Sequence, residues 1–481
     1  MDLEIEKRNF FKKYNTLETL KYVSLTNNTN YINKLKNSNR IETRLKDEHF
    51  LNIRLAFNVI KYSSDFRGIR ELDRKEISKI CKKIINDFSY TPSPNLSQEE
   101  FILEITTGHS QEQFFGQEIF YFLPQTIARN KKILSFYNLP VTINEILSKE
   151  LNIDMTSNIF EKGLEILWYL FINKNIYFES ELDKSILEII EKKKLTIKLE
   201  QVKAILNYYA CDYEWIKTKN EKDRPFFIKP IIKTQNYNRY IMIDIVSFSS
   251  KFADGIYWIV RNYYNKITNS EVERQRFVNE FGNMFEKYIE ELLLFLLTKE
   301  NFKKLNPYEN KKTKSLADWI IETKNYNLIV EQKSTLLLSS CKTMEINIEG
   351  LKKGFLPTLK KAFKQLQNTE KDKIINNKKT IKLILLYEYF PTLEALKAYF
   401  ENILKDKIDD LQNYIFISTD DFEILMTLLK NDENLFDKVI EERLELEKEL
   451  FKGAKFSDIF DKYSFRKNEY IEYLIKKSKN S

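Results

Sequence analysis

The chain has 481 residues, of which 43% are hydrophobic and 14% aromatic; this composition excludes a disordered protein and leaves room for two or three domains. The formal net charge of +8 permits a local basic groove but does not by itself indicate nucleic-acid binding. Two histidines and three widely spaced cysteines exclude a multi-histidine metal centre, a cysteine zinc site and a disulfide framework. The first residues are charged and no apolar run is long enough to span a bilayer, so we expect a soluble, cytoplasmic protein without a membrane partner.

The first part of the chain, residues 1–215, has the apolar spacing of successive helices. We expect it to form an all-helical domain that recognises substrate, a partner or an activating signal. It contains no glycine-rich phosphate loop, which argues against an ATPase. The predicted helices cover residues 50–62, 74–87, 97–106, 111–122, 143–151, 159–171 and 182–192.

One of these helices, over residues 74–87, carries a basic stripe. Lys75, Lys79 and Lys82 are spaced at i, i+4 and i+7 and therefore share one face. The stripe predicts contact with nucleic-acid phosphates, although a solvated face is the commoner role of such a pattern.

A charged segment over residues 217–225 ends in proline and predicts a linker. Beyond it, the patterns indicate strands over 226–228 and 240–243 and a helix over 255–264. We interpret these elements as an addition to the domain that follows.

The most informative pattern of the chain lies between Asp318 and Lys333. Glu331 and Lys333 close a short apolar run, and residues two apart point to the same face of a strand. Asp318 can lie on a neighbouring antiparallel strand, with a turn around residues 324–327. Two carboxylates on adjacent strands suit Mg²⁺, and a lysine beside them can orient an attacking water and neutralise a phosphate. The alternative is a half-exposed strand with an ordinary ion pair.

Upstream of this pattern, residues 281–296 predict a helix with one apolar face. Gly282 and Glu286 lie four residues apart at the flank of that face. A glycine inside a helix costs about 1 kcal/mol relative to alanine, so close approach of another backbone is a reason for it. Glu286 would then point toward the same neighbour, while a surface glutamate is the alternative.

Downstream, helices and strands are expected to alternate. Asp420 and Glu423 have the spacing of a capping box at the start of the last predicted helix. The predicted strands cover 344–348, 381–387 and 414–417, and the predicted helices cover 359–369, 391–400 and 422–429.

This order of one helix, three strands, and then helix and strand in alternation resembles the restriction-endonuclease-like, or PD-(D/E)XK, nuclease superfamily over roughly residues 224–430. The resemblance implies an αβββαβ core. Ala317 stands where the family's name has proline. Gln365 falls on the helix after the motif, where some family members place a polar residue facing the site.

The resemblance also implies roles for individual residues. Glu286 is similar to the helix acid of the family, Asp318 to the bridging metal ligand, and Glu331 to the second ligand. Lys333 corresponds to the catalytic lysine, and the backbone carbonyl of Gln332 to the group that often completes the metal shell.

We therefore expect an α+β multidomain protein with a helical N-terminal domain (1–215), a restriction-endonuclease-like αβββαβ domain (216–430) and a charged helical tail (431–481). The expected function is a Mg²⁺-dependent endonuclease, with Mn²⁺ as a substitute, acting on nucleic acid and on DNA in preference to RNA. Restriction or anti-phage defence fits this architecture by analogy, and a protein partner or homo-oligomer is considered as well. Two alternatives stay open: a catalytically silent nuclease-like module that binds nucleic acid or a partner protein, and a purely structural interaction protein.

Overall fold

The computed structural model describes residues 3–36, 48–66, 68, 74–87, 97, 123–234, 238–267, 271–305, 315–334, 356–371, 378–387, 414–447 and 456–479. Over these ranges the protein is mixed α+β, and the chain divides into two compact units. The first unit covers Met1–Thr91, Glu112–Thr126 and Leu139–Arg274, and the second covers Pro92–Gln111, Ile127–Asn138 and Gln275–Ser481. None of the described helices has the length and apolar character needed to cross a membrane.

The first unit is mainly helical, and its helices bury the apolar faces that the sequence predicts. The predicted helices over 97–106 and 111–122 lie outside the described residues, apart from Ser97; the other five are confirmed. The helices up to Lys266 are α1 (Leu3–Phe11), α2 (Thr16–Lys36), α3 (Glu48–Tyr62), α4 (Arg74–Asp87), α5 (Leu123–Leu134, in the second unit from Ile127 onward), α6 (Ile143–Leu151), α7 (Ser157–Asn173), α8 (Glu179–Lys192), α9 (Leu199–Tyr209), α10 (Tyr213–Lys217), α11 (Pro225–Ile228) and α12 (Ile245–Lys266).

A four-stranded sheet also belongs to the first unit, which is therefore not all-helical. Its strands are β1 (Ile176–Phe178), β2 (Ala210–Cys211), β3 (Ile231–Thr234) and β4 (Arg239–Met242), in the order β1-β4-β3-β2. β4 pairs antiparallel with both β1 and β3, and β2 pairs parallel with β3.

This pairing explains why the first unit extends to Arg274 rather than ending near residue 215. Strands β3 and β4 complete a sheet that begins with β1 and β2, and α12 packs on α6 and α7. The sequence suggested that these elements are an addition to the second unit, but they belong to the first. The strand predicted over 226–228 is also wrong, because α11 occupies these residues; it begins at Pro225, and proline suits the first turn of a helix.

The second unit is built on a five-stranded mixed sheet. Its strands are β5 (Phe302–Lys304), β6 (Trp319–Glu322), β7 (Tyr326–Lys333), β8 (Lys379–Leu386) and β9 (Tyr414–Ser418), which lie in chain order across the sheet. β5, β6 and β7 are antiparallel to their neighbours, whereas β7, β8 and β9 run parallel. The described helices of this unit, besides its part of α5, are α13 (Glu271–Leu296, in the second unit from Gln275 onward), α14 (Leu356–Glu370), α15 (Thr419–Asn431), α16 (Glu433–Glu447), α17 (Phe456–Lys462) and α18 (Glu469–Lys479).

The predicted strands over 381–387 and 414–417 and the helix over 359–369 are confirmed as β8, β9 and α14. The strand predicted over 344–348 and the helix over 391–400 lie outside the described residues. An unpredicted strand, β5, precedes Asp318 and supplies the first of the three strands that follow α13.

A buried ion pair joins α5 to the rest of the second unit. The Nε and Nη2 atoms of Arg129 donate to the two carboxylate oxygens of Glu423 at 2.6 and 2.7 Å, and Arg129 also binds Asp420. The Tyr288 hydroxyl and the Asn468 side-chain amide donate to Glu423 as well, at 2.5 and 2.6 Å. The capping role predicted for Glu423 is therefore wrong.

The helix α15 is capped two residues earlier than the sequence suggested. Ser418 is its N-cap, and the Ser418 Oγ accepts a hydrogen bond from the Asp421 amide at 3.0 Å. The following segment, 431–481, is helical as predicted over α16, α17 and α18, but it is not a solvated tail. Phe436, Ile440 and Tyr470 are buried, so these helices contribute to the core of the second unit.

Candidate active site

The strand pair β6–β7 brings the two acidic residues of the motif together. Trp319 pairs with Val330, which places Asp318 opposite Glu331 on the same face of the sheet. The Asp318 amide donates to the Val330 carbonyl at 3.1 Å, and the Gln332 amide donates to Asp318 Oδ2 at 2.8 Å. The predicted antiparallel pairing is confirmed, but the turn lies at residues 323–325 rather than 324–327, because Tyr326 and Asn327 already belong to β7.

Glu331 is the most deeply buried group of this site, with 1% of its surface exposed. Its Oε1 accepts a hydrogen bond from Lys333 Nζ, and the same ammonium donates to Gln365 Oε1 at 3.2 Å. Glu331 Oε2 is buried and has no hydrogen-bond partner in the described part of the chain. A buried carboxylate oxygen without a partner is costly, and it marks a place where a cation or a proton is missing.

The electrostatics of the pair follow from this burial. The pKa of Glu331 is raised to about 8, chiefly by burial and next by the charge of Asp318, whereas Lys333 opposes the shift. Burial also raises the pKa of Asp318 to about 6, against the hydrogen bond from the Gln332 amide and the charge of Lys333. Near neutral pH the pair therefore holds a proton unless another positive charge takes its place.

Helix α14 fixes the segment that leads into Asp318. Gln365 Nε2 donates to the Leu316 carbonyl at 3.0 Å, and the Ala317 amide donates to Thr369 Oγ1 at 2.8 Å. Because Gln365 also accepts from Lys333, one buried amide connects the lysine to this segment. The polar residue that the family resemblance implies on this helix does face the site.

Helix α13 approaches the end of β7 at Gly282. A Cβ added at Gly282 would lie 3.5 Å from Ser334 Oγ, which is ordinary van der Waals contact. Glu286, one turn later, accepts a hydrogen bond from Lys304 Nζ, with 2.6 Å between the atoms, and the same lysine binds Glu290 at 2.9 Å. The structure thus places Glu286 beside β5 rather than in a hydrogen bond with the carboxylate pair.

The charge of Glu286 nevertheless reaches the site, because it is one of the causes that raise the pKa of Asp318. Lys304 was missed by sequence reasoning, since β5 is only three residues long and offers no periodic signal. Its amine also lies 5.4 Å from the centroid of the Trp319 ring, which joins it to the strand that carries the site.

The basic stripe predicted on α4 belongs to the first unit, whereas the site residues belong to the second. Lys79 and Lys82 are exposed, and Lys79 Nζ lies 3.6 Å from Glu76 Oε1. The side chain of Lys75 lies outside the described residues. A role of this stripe in nucleic-acid binding stays a prediction.

The donors that could hold a metal ion are few. Over the described ranges, no group of three or more His, Cys, Asp or Glu side chains is placed to hold an ion. The candidate ligands are therefore the two carboxylates, Asp318 and Glu331, with the main-chain oxygen of Gln332 as the family resemblance implies. The Gln332 side chain itself accepts from Trp319 Nε1 at 3.1 Å and is thus engaged elsewhere.

The site offers one buried carboxylate, one partly buried carboxylate and one ammonium held beside them, an arrangement suited to activating water next to a phosphate. No family model matches the chain, and no similar protein was found among curated proteins or solved structures.

Proposed function

We propose that the second unit is a Mg²⁺-dependent nuclease that hydrolyses phosphodiester bonds in nucleic acid. The observation that carries the proposal is the pair of Asp318 and Glu331 beside Lys333: Glu331 is buried, Asp318 is partly buried, and Glu331 Oε2 lacks a hydrogen-bond partner in the described part of the chain. An ordinary surface ion pair does not explain this arrangement, because Glu331 is buried and Lys333 also donates a hydrogen bond to Gln365.

The residues present fit a magnesium ion. Two carboxylates at neighbouring strand positions supply hard oxygen donors, and a positive charge beside them would offset the burial that chiefly raises both pKa values and the charge of Asp318 that adds to the shift of Glu331. Mg²⁺ usually binds one or two carboxylates and keeps several waters, so this site needs no third acidic ligand. Mn²⁺ has similar ligand preferences and is expected to substitute.

Each residue of the site has its own proposed role. Asp318 and Glu331 would hold the ion, which supplies Lewis-acid activation of water and of a phosphoryl oxygen. Lys333 is kept beside them by Gln365, where its ammonium can orient the attacking water and stabilise negative charge that develops on the phosphate. Gln365 also donates a hydrogen bond to the Leu316 carbonyl. It therefore fixes the position of Lys333 relative to the segment before Asp318.

The order of elements supports the same proposal. The described elements follow the αβββαβ order of the PD-(D/E)XK core: helix α13, strands β5, β6 and β7, helix α14 and strand β8. Asp318 lies immediately before the second of the three strands, and Glu331-x-Lys333 closes the third. By the same analogy, the first unit would provide recognition, and restriction or anti-phage defence is the proposed setting. DNA is the proposed substrate ahead of RNA.

Incubation of the purified protein with supercoiled, linear and single-stranded DNA and with RNA tests this proposal. Each substrate is combined with Mg²⁺, Mn²⁺ or EDTA. We expect cleavage that requires the ion and disappears in EDTA. Binding without cleavage of any substrate would instead support a catalytically silent module.

A further inference from the structure

One side of α14 faces the segment that leads into β6. Lys361, Gln365 and Asn368 are spaced at i, i+4 and i+7 and form a continuous stripe along the helix. Gln365 donates to the Leu316 carbonyl, and Asn368 Nδ2 donates to the Ser315 carbonyl at 3.0 Å. Lys361 is the member of the stripe nearest the start of α14, and its side chain is exposed.

Lys361 differs from the other lysines around the site in its partners. Lys333 is bound by Glu331 and Gln365, and Lys304 is bound by two glutamates of α13. No hydrogen bond or ion pair joins Lys361 to another described residue, and its charge lowers the pKa of the Glu331 carboxyl. Lys361 lies one helical turn before Gln365, which binds Lys333, and no hydrogen bond or ion pair to a described carboxylate engages its amine.

An exposed ammonium at the rim of a buried acidic site is suited to a polyanionic substrate. The two acidic residues alone would repel a nucleic-acid backbone, so a cation beside them helps to bring the phosphates into position. The neighbouring Lys360 is also exposed, but it lies about 100° away around the helix and off the stripe.

We propose that Lys361 contacts a backbone phosphate next to the one that is cleaved, and that it sets substrate affinity and register rather than the chemical step. This inference rests on the proposed nuclease function. It places the path of the nucleic acid along the Lys361 side of α14, and it assigns Lys361 a positioning role.

The variant Lys361→Gln tests the inference, with Lys360→Gln as a matched control on the same helix. Both changes remove one positive charge from an exposed position and keep a good helix former. Binding to a labelled DNA duplex is measured by fluorescence anisotropy from about 0.05 to 0.5 M salt, in an Asp318→Asn background that is expected not to cleave. Kinetics are measured in the otherwise wild-type protein.

Each phosphate contact contributes about 0.9 to the slope of log K against log salt concentration. Loss of one contact should therefore weaken binding about eightfold at 0.1 M salt and lower the magnitude of this slope by about one. We expect this for Lys361→Gln, with KM raised and kcat within about twofold of wild type. Lys360→Gln should change neither quantity appreciably. Mn²⁺ affinity should not fall in Lys361→Gln, because the change removes a positive charge near the ligands.

Two results would overturn the inference while leaving the nuclease proposal in place. One is equal duplex affinity and equal salt slope in the two variants of a protein that cleaves. The other is a loss of kcat at unchanged KM in Lys361→Gln, which would put the residue in the chemical step. A wild-type protein that neither binds nor cleaves nucleic acid would instead refute the nuclease proposal, and the inference with it.

Discussion

The raised pKa values of the carboxylate pair predict that metal binding releases a proton. In the metal-free protein the pKa of Glu331 is about 8 and that of Asp318 about 6, chiefly because folding removes water from both carboxyls. Glu331 is then about 90% protonated at pH 7, and Asp318 about 10%. Metal ligands must be deprotonated, so each bound ion should displace about one proton at pH 7 and about half a proton at pH 8.

The affinity for Mn²⁺ is expected to depend on pH. Protons compete with the ion for the same carboxylates, so apparent Mn²⁺ affinity should rise with pH. Between pH 7 and pH 8 the ionised fraction of Glu331 rises about fivefold, and the association constant should rise by about the same factor. Above about pH 9 the dependence should disappear because both carboxyls are then ionised.

Isothermal titration calorimetry with Mn²⁺ measures this release. Titrations at pH 7 in buffers of different ionisation enthalpy yield the number of protons released as a slope. The matched variants are Glu331→Gln, which should lose both the release and most of the affinity, and Glu300→Gln, an exposed glutamate that should behave as wild type. Tight Mn²⁺ binding with no proton release at pH 7 would refute the reasoning from burial.

Three further outcomes are expected. Lys333→Ala should lower the cleavage rate about hundredfold or more while circular dichroism stays unchanged; near-wild-type cleavage would remove the lysine from the mechanism. Glu286→Gln should slow cleavage more than Glu290→Gln, because both bind the same lysine but only Glu286 is among the charges that raise the pKa of Asp318; equal rates would exclude Glu286 as the helix acid. Arg129→Ala should lower the free energy of unfolding of the second unit by about 3–5 kcal/mol, since it leaves a buried glutamate unpaired; in chemical denaturation, a loss below about 1 kcal/mol would contradict this.

The strand pair that carries the site could be predicted because its signals are local. The apolar run Leu328–Val330 has strand length, and the alternation of Glu331 and Lys333 has strand periodicity. The turn before Tyr326 is too short for a crossover connection, so β6 and β7 can pair only antiparallel, as they do in the structure. Gln365 could be placed on its helix for the same reason, since the apolar spacing of α14 is regular.

What could not be predicted depends on contacts between distant parts of the chain. Glu423 has the local spacing of a capping residue, but it is buried against Arg129, which lies 294 residues earlier. That contact also explains why part of α5 belongs to the second unit. A fragment beginning near residue 217 would lack Arg129 and is expected to be less stable than the intact second unit.

Other residues of the site were missed for a different reason. Lys304 lies on a three-residue strand without periodicity, so nothing in the sequence separates it from neighbouring lysines. Lys361 could have been found, because it lies one helical turn before Gln365 on the same side of a predicted helix. The boundary of the first unit was misplaced because β2 and β3 pair across the segment that resembles a linker.

The central claim is that the Asp318–Glu331 pair holds the ion that cleavage requires. The most direct test is single-turnover cleavage of a labelled DNA substrate by wild type, Asp318→Asn and the control Glu300→Gln over a range of Mg²⁺ concentrations. We predict ion-dependent cleavage by wild type and Glu300→Gln, and a loss of about hundredfold or more in Asp318→Asn, which keeps the shape of the side chain and removes its charge. Cleavage by Asp318→Asn at the wild-type rate and with the same Mg²⁺ dependence would contradict the claim.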